Sequence, residues 1–330
     1  GLACWALLMP LWAWAQTPVV IRFSHVVAPD TPKGLMAQRF AQALRVLSEG
    51  QMRAEVYPMA RLYGDRDEIE ALQRGAVDML APSLSKFGRI GFPEFELFDL
   101  PFLFDNDTDV HRLTQGPVGQ RLLRNLQRQH MVGLGFLDNG FKHMSAQRPL
   151  LEPTDYVGLR MRVQSSRTIA RQMKALGAHP VDLPFSETRR ALGAGVVDGT
   201  ENPISNFWTQ DMHEVQSDLT LTRHGYLGYA VVMNLHFWQG LSQAQRAWVQ
   251  AAMDEALEVG NQLAAGQNEQ ALQAVRASGL TRIHTPTPEQ RSRLKAAVQP
   301  AYADLARRIG SAWIDTAREA LRKDKDKDRD

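Results

Sequence analysis

Apolar and polar positions along the chain switch between two periods, one near 2 and one near 3.6. Residues 19–24 form a short apolar run closed by Ala28-Pro29-Asp30-Thr31-Pro32, which predicts a buried strand and a turn. Leu35, Met36, Phe40, Leu44 and Leu47 then recur at helical spacing until Gly50 stops the helix. Met52, Ala54 and Val56 alternate as a second strand. Asp65 with Glu68 has the form of a capping box opening a helix through Leu72, and residues 77–81 read as a third strand. The β-α-β-α-β order predicts an α/β sheet with helices on its faces.

The same grammar restarts later in the chain. Leu159, Met161 and Val163 form one face of a strand, and Ser165 or Ser166 is placed to cap the helix lined by Ile169, Met173 and Leu176. Residues 181–183 read as a strand, Ser186 as the cap of a short helix, and Val196-Val197 as the start of a further strand. Ala71-Leu72-x-x-Gly75-x-Val77-Asp78 reappears as Ala191-Leu192-x-x-Gly195-x-Val197-Asp198. One such match is weak, but inside two copies of the same strand-helix order it predicts two similar lobes.

The final third is helical. Ser242 opens a long stretch through about Val275, with Trp248, Ala252, Val259 and Leu263 on one side. Thr287-Pro288-x-Gln290 starts another helix, and Pro300 must interrupt it. Trp313, Ile314, Ala317 and Leu321 mark a last helix that packs back on a lobe.

At the other end, residues 2–12 are apolar and Ala13-Trp14-Ala15 fits a signal-peptidase site. Residues 1–16 are therefore expected to be the remnant of a signal peptide, with export to the periplasm. Cys4, the sole cysteine, lies inside it, so the mature chain is expected to lack thiols and disulfides. Residues 322–330, with Lys and Asp alternating, read as a charged, flexible tail.

Composition narrows the function. The 38 basic and 36 acidic residues leave a net charge of +2, and no basic stripe with interleaved aromatics points to nucleic acid. Gly133-x-Gly135 meets Asp138 where a dinucleotide fingerprint requires a third glycine. Neither a nucleophile elbow nor a zinc-helix motif occurs, and the nine histidines show no pairing four apart. No cofactor, metal or catalytic residue is expected, and the chain reads as a non-enzyme.

Ligands of open α/β sheets collect at the carboxyl ends of strands. The first repeat delivers Ser83 and Lys86 there, in Ala81-Pro82-Ser83-Leu84-Ser85-Lys86; the second delivers Asn202, in Gly199-Thr200-Glu201-Asn202-Pro203. Arg160, Arg162 and Gln164 share the face opposite Leu159, Met161 and Val163. An arginine at a strand's carboxyl end can grip a carboxylate with a planar fork, which singles out Arg162, although the strand pattern alone favours a solvent-facing arginine. On spacing alone, Lys142 after Asn139-Gly140 belongs to a turn, Phe185 to a core, and Asn202 to a turn before Pro203.

Several ordered motifs then resemble one family. Ser24-His25-Val26, Asp30-Thr31-Pro32-Lys33-Gly34, Leu62-Tyr63-Gly64-Asp65, Phe98-Asp99-Leu100-Pro101-Phe102, Gly158-Leu159-Arg160-Met161-Arg162-Val163 and Val197-Asp198-Gly199-Thr200-Glu201-Asn202-Pro203 resemble the solute receptors of tripartite ATP-independent periplasmic (TRAP) transporters. The resemblance implies a two-lobed binding protein, type II-like, with a long helix spanning both lobes, and membrane permease subunits as partners. Lobe I is expected over 17–139 plus about 228–268, and lobe II over 140–227 plus about 269–321. It further implies that Arg162 pairs with a substrate carboxylate, assisted by Asn202, with Lys142 and Phe185 at ligand positions.

Gly140-Phe141-Lys142 and His224-Gly225-Tyr226 are similar to the C4-dicarboxylate receptors of the DctP type, which implies succinate, malate or fumarate as ligand. Leu137 and Thr200 depart from the family's pattern beside the ligand loops, so a monocarboxylate ligand stays open; an exported enzyme on the same scaffold and a receptor reporting to a membrane sensor are the other readings. A dianion requires two cationic ends. For the second, Lys142, Lys33, Lys86 and His25 all remain candidates. Capture in one cleft requires only a monomer.

Overall fold

The computed structural model describes residues 17–322. The expected signal peptide, Cys4 and the tail beyond Arg322 lie outside the described residues. The chain runs β1 (Val19–Ser24), α1 (Pro32–Leu47), β2 (Met52–Tyr57), α2 (Glu68–Gln73), β3 (Met79–Leu80), α3 (Asp107–Gln115), α4 (Pro117–Asn125) and β4 (Met131–Ala146). It continues with β5 (Arg160–Val163), α5 (Arg167–Ala175), β6 (His179–Asp182), α6 (Phe185–Gly193), β7 (Gly199–Asn202), α7 (Ile204–Thr209) and β8 (Asp218–Asn234). Last come α8 (Leu235–Gly240), α9 (Gln243–Ser278), β9 (Arg282–His284), α10 (Pro288–Ala297), α11 (Pro300–Ile309) and α12 (Ser311–Arg322).

The two repeats fold as two matching units. β1 pairs in parallel with β2 and β3, and β5 pairs in parallel with β6 and β7. Along the sheet the order is β2-β1-β3-β8-β4-β7-β5-β6, with β9 beside β8, so the trios sit at opposite ends of a central antiparallel pair. The repeated Gly-x-Val-Asp now has a physical reason. Asp78 accepts from the backbone N of Arg22 at 2.8 Å and from its Nη2 at 2.8 Å. Asp198 does the same for Arg160, at 2.7 and 2.8 Å. Each aspartate ties the strand after its helix to the first strand of its unit. The residue two places beyond the tied arginine is Ser24 in the first unit and Arg162 in the second, at the carboxyl end of the strand where a ligand sits.

Among the described residues, β4 and β8 are the only strands long enough to serve both units. Their pairing runs from Met131 opposite Asn234 to Ala146 opposite Asp218, with register breaks near Gly133, Asp138 and Lys142. The turn expected at Asn139-Gly140 is absent: the dipeptide lies within β4, where the pairing skips a residue between Asp138 and Gly140. Gly140 has φ 149°, a conformation closed to ordinary side chains, so an Asn-Gly signal here marks a β-bulge instead of a hairpin.

The helix α9 has 36 residues, roughly 54 Å of helix at about 1.5 Å per residue. Ser242 and Gln245 close a capping box at its start. Val249, Ala252, Met253 and Ala256 pack with Phe23, Met36 and Phe40 of the first unit, whereas Ala271 and Val275 pack with Phe185, Ala191 and Phe207 of the second. The helix thus spans both lobes. Of the expected face Ala252 is buried, Trp248 and Val259 are half-buried and Leu263 is exposed, and Val249 and Met253 are buried beside Ala252. Pro300 separates α10 from α11 as expected. Leu294 and Val298 pack with Met161 and Ile169 of the second unit, but Leu305, Ile314, Ala317 and Leu321 pack with Leu72, Phe98 and Leu113. The segment 269–321 therefore contributes to cores of both units.

Two expected caps are absent. Asp65 and Glu68 do not cap α2, whose cap position is Asp67; both carboxylates point to Lys86 instead. Pro184, not Ser186, precedes α6. Ser166 caps α5 by accepting from Ile169 N at 3.2 Å.

Gly140 offers a test of the bulge. A Cβ there meets Asn268 Nδ2 at 2.6 Å, in addition to the strained φ. Gly140→Ala is expected to lower the unfolding free energy by about 2 kcal/mol in a urea titration. Gly266→Ala in α9, where a Cβ meets open space, is expected to raise it by about 0.5–1 kcal/mol.

Candidate functional site

The two trios meet across a cleft, and a small cavity remains where the carboxyl ends of their strands converge. Lys33, Ser83 and Lys86 line it from the first unit, and Arg162, Phe185 and Asn202 from the second. These are six of the eight residues singled out by sequence. The sequence reasoning missed Asp65, Gln164, Asn206, Leu227 and Tyr229, which line the same cavity, as do Val26 and Val27.

Arg162 is 2% exposed, so its charge is almost fully removed from water. Its Nε donates to Leu183 O at 2.9 Å, and its guanidinium carbon lies 5.9 Å from the centre of the Phe185 ring. Among the described residues no acceptor receives its terminal nitrogens, the pair that forms a fork. Burial pushes its pKa down, partly countered by Asp65, Glu201 and Asp182. Phe185 begins α6 and is mostly core, as its spacing indicated, with one edge on the cavity. Asn202 ends β7 inside the sheet, not in a turn, with its Nδ2 3.2 Å from Thr200 Oγ1.

The cations differ in what already holds them. Lys86 is clamped by Asp65 and Glu68. Burial alone would lower the Lys86 pKa, but these two carboxylates outweigh it and raise it. Lys142 does not reach the cavity. Its Nζ donates to Glu201 Oε1 at 2.5 Å, and both side chains are buried. Glu201 Oε2 lies 2.6 Å from His224 Nε2 and accepts from Gln172 Nε2 at 3.2 Å. Burial favours a neutral Glu201, yet Lys142 and His224 prevail and hold its carboxyl well below the usual range. His25 is buried behind the wall: Val26 and Val27 line the cavity and His25 does not. Burial, with Lys33 adding to it, drops its pKa to about 3.

Lys33 is different again. It donates to Ala81 O at 3.0 Å and sits 3.9 Å from the centre of the Tyr229 ring, with no carboxylate in ion-pair contact among the described residues.

Polar links join the units: outside the cavity lining Glu96 Oε2 accepts from Thr168 N at 2.9 Å and from Thr168 Oγ1 at 2.8 Å, and others lie nearer the cavity. Ser83 Oγ donates to Gln164 Oε1 at 2.6 Å, Asp65 Oδ2 accepts from Phe185 N, and Arg89 pairs with Asp182. Behind the cavity, Asn139 donates to Asn206 Oδ1 at 2.9 Å and to Tyr229 Oη at 2.8 Å, and accepts from Ser205 Oγ at 2.9 Å. The Asp-Asn-Gly segment therefore matters through Asn139, which orients two cavity residues.

A cleft with unmatched buried positive charge, between two α/β units joined by a bent ribbon and a shared helix, defines a two-lobed receptor for a small anion. The chain belongs to the bacterial extracellular solute-binding protein family 7 (DctP), whose pattern it matches over residues 23–308. It is 49% identical over 297 residues to the C4-dicarboxylate-binding periplasmic protein DctP of Rhodobacter capsulatus, covering 90% of this chain and 89% of that one. A TRAP periplasmic solute-binding protein from Shewanella oneidensis, solved with succinate, is 39% identical with a TM-score of 0.91, covering 93% of this chain and 100% of that one. Another from Pseudomonas aeruginosa, solved with L-malate, is 38% identical with a TM-score of 0.85, covering 87% and 100%. No helix among the described residues is long and apolar enough to cross a membrane.

The Lys142–Glu201 pair is testable apart from ligand. Glu201→Gln leaves a buried ammonium without its counter-charge and is expected to cost about 3 kcal/mol in stability at pH 7. Adding Lys142→Met should recover most of that, because the glutamine still meets His224 and Gln172. A carboxyl depressed in the folded state stabilises above its unfolded pKa, near about 4.3, and that contribution is lost as pH falls below it. Urea titrations from pH 7 to 3 should therefore show a steeper acid loss in the parent than in the double variant.

Proposed function

We propose that this protein is the extracytoplasmic receptor of a TRAP transporter, capturing a C4-dicarboxylate such as succinate, malate or fumarate and delivering it to a membrane permease. One observation carries the reading: Arg162 is buried at the cleft, and among the described residues neither terminal nitrogen has a protein acceptor. A buried guanidinium left so is costly, and a carboxylate that accepts two parallel hydrogen bonds offsets that cost. The relatives named for C4-dicarboxylates and the neighbours solved with succinate and malate support the choice of ligand.

Residues from both units shape one cavity, so closure about a hinge completes the site. The bulge at Asn139-Gly140 in β4 and the helix α9 pass between the units, and the hinge is assigned to them. Asn202 assists Arg162, Phe185 packs beside the guanidinium, and Ser83 with Gln164 closes the rim. Capture in one cleft requires only one copy, so the receptor is taken to act in the periplasm as a monomer. Nothing in the cavity pairs a nucleophile with a base, which favours binding over chemistry.

A thermal-shift screen of small carboxylates tests this. A ligand present at 100 times its Kd stabilises by about 2.7 kcal/mol. Succinate, malate and fumarate are expected to raise the melting temperature, and Arg162→Ala to weaken them at least about a hundredfold. Arg160→Ala, which removes only the exposed link to Asp198, is expected to leave the shift in place. Response to monocarboxylates alone, or turnover of an acid, would replace the reading.

A further inference from the structure

The cations around the cleft separate into those the protein neutralises and those it does not. Lys86 has two carboxylates and Lys142 has one. Lys33 and Arg162 have none in ion-pair contact among the described residues, and both line the same cavity from opposite units. Lys33 is also badly placed for a structural lysine. It is 2% exposed, and it is the second residue of α1, where the positive end of a 16-residue helix disfavours a cation. Its backbone acceptor and the face of Tyr229 relieve only part of that cost.

We infer that Lys33 holds the second carboxylate of the dianion whose first is gripped by Arg162, and that Lys33 is therefore the residue selecting dicarboxylates over monocarboxylates. The inference rests on the receptor reading above and adds the residue that fixes ligand class. It removes the other three candidates on geometry: Lys86 is neutralised, while Lys142 and His25 lie outside the cavity.

A consequence follows for protons. Burial pushes the Lys33 ammonium down to about 7; Glu68 and Asp65 pull it up and Lys86 pushes it down. With the units together and no carboxylate beside it, the amine is thus partly unprotonated near neutral pH, and a carboxylate seated there draws the proton on. The other groups facing Lys33 do not titrate between pH 7 and 9: His25 sits at about 3, Tyr229 is raised to about 12, Asp65 is depressed and Lys86 is raised. As pH rises through that window, the empty site loses a proton that the occupied site keeps. Affinity for a dianion should fall by up to about tenfold per unit.

The experiment compares succinate with monomethyl succinate by calorimetry on the parent and Lys33→Met. The parent is expected to favour succinate by about a hundredfold, and the variant to bring the two within a few-fold of each other. At pH 8 the parent should take up nearly one proton per succinate, read from buffers of different ionisation enthalpy; the variant should take up none. A melt of the ligand-free variant checks folding, and its midpoint should not fall, because a buried cation has been removed. A parent that binds succinate without proton uptake, or a folded variant that keeps the hundredfold preference, overturns the assignment of Lys33 alone. A parent that binds no C4-dicarboxylate overturns the receptor reading with it.

Discussion

Uncompensated positive charge under low solvent exposure is the constraint on which this structure turns. Proteins rarely bury an arginine without an anion, because desolvation costs several kcal/mol unless partners replace water. Here the sheet places Arg162 at the carboxyl end of β5 and, among the described residues, ties only its Nε and leaves its fork without an acceptor. The nearest carboxylates are already engaged: Asp65 by Lys86 and the Phe185 amide, Glu201 by Lys142 and His224. Each acidic group that might have neutralised the arginine has been given another cation. In the proposed receptor the surrounding ion pairs thus keep Arg162 free for an external anion, which accounts for the many charges buried around a small cavity.

The same constraint explains the divided architecture. A cation fully buried in a single rigid core would have no route to its ligand. Splitting the site between two trios of strands lets the charge be solvated when the units part and desolvated when they meet. The links across the cleft are small and polar: Ser83 with Gln164, Asp65 with the Phe185 amide, and the exposed pair Arg89 with Asp182. Water can replace each of these at modest cost. The two units are also joined through α9, the β4–β8 ribbon and α11, which packs on α5 of the second unit while its Leu305 enters the core of the first.

Much of this was legible in the sequence, because strand and helix periods report local burial. Both β-α-β-α-β units, the long helix with its Ser242 cap and the break at Pro300 follow from spacing. The family motifs marked Arg162 and Asn202, whereas the strand pattern alone argued for a solvent-facing arginine. What spacing could not convey was pairing over long separations. Asp65 and Glu68 stand at capping-box spacing, yet their carboxylates serve Lys86, 21 and 18 residues away. Asn139-Gly140 carries a turn dipeptide, but its flanks pair for many residues with β8, so the ladder overrides the turn and leaves a bulge. Leu263 fits a helical stripe, but the stripe buried is the one that meets two separate cores.

Lys142 shows how a cation singled out by sequence can be committed inside the protein, outside the cavity lining. Its position beside the bulge placed it among the candidate cations, and its charge is consumed by Glu201 beneath the sheet. Glu201 is followed immediately by Asn202, and Lys142 sits in the strand paired with β7. The buried pair therefore fixes the strand end that presents Asn202 to the cavity. An ion pair in such a place contributes little net stability over an apolar substitute. Its value lies in register: it holds one strand end of the second unit against the ribbon at the level where the units hinge. The carboxylate of Glu201 is also kept from competing for Arg162. One buried pair positions a cavity residue and withholds a counter-charge, and in the proposed receptor both effects leave the arginine for an incoming carboxylate.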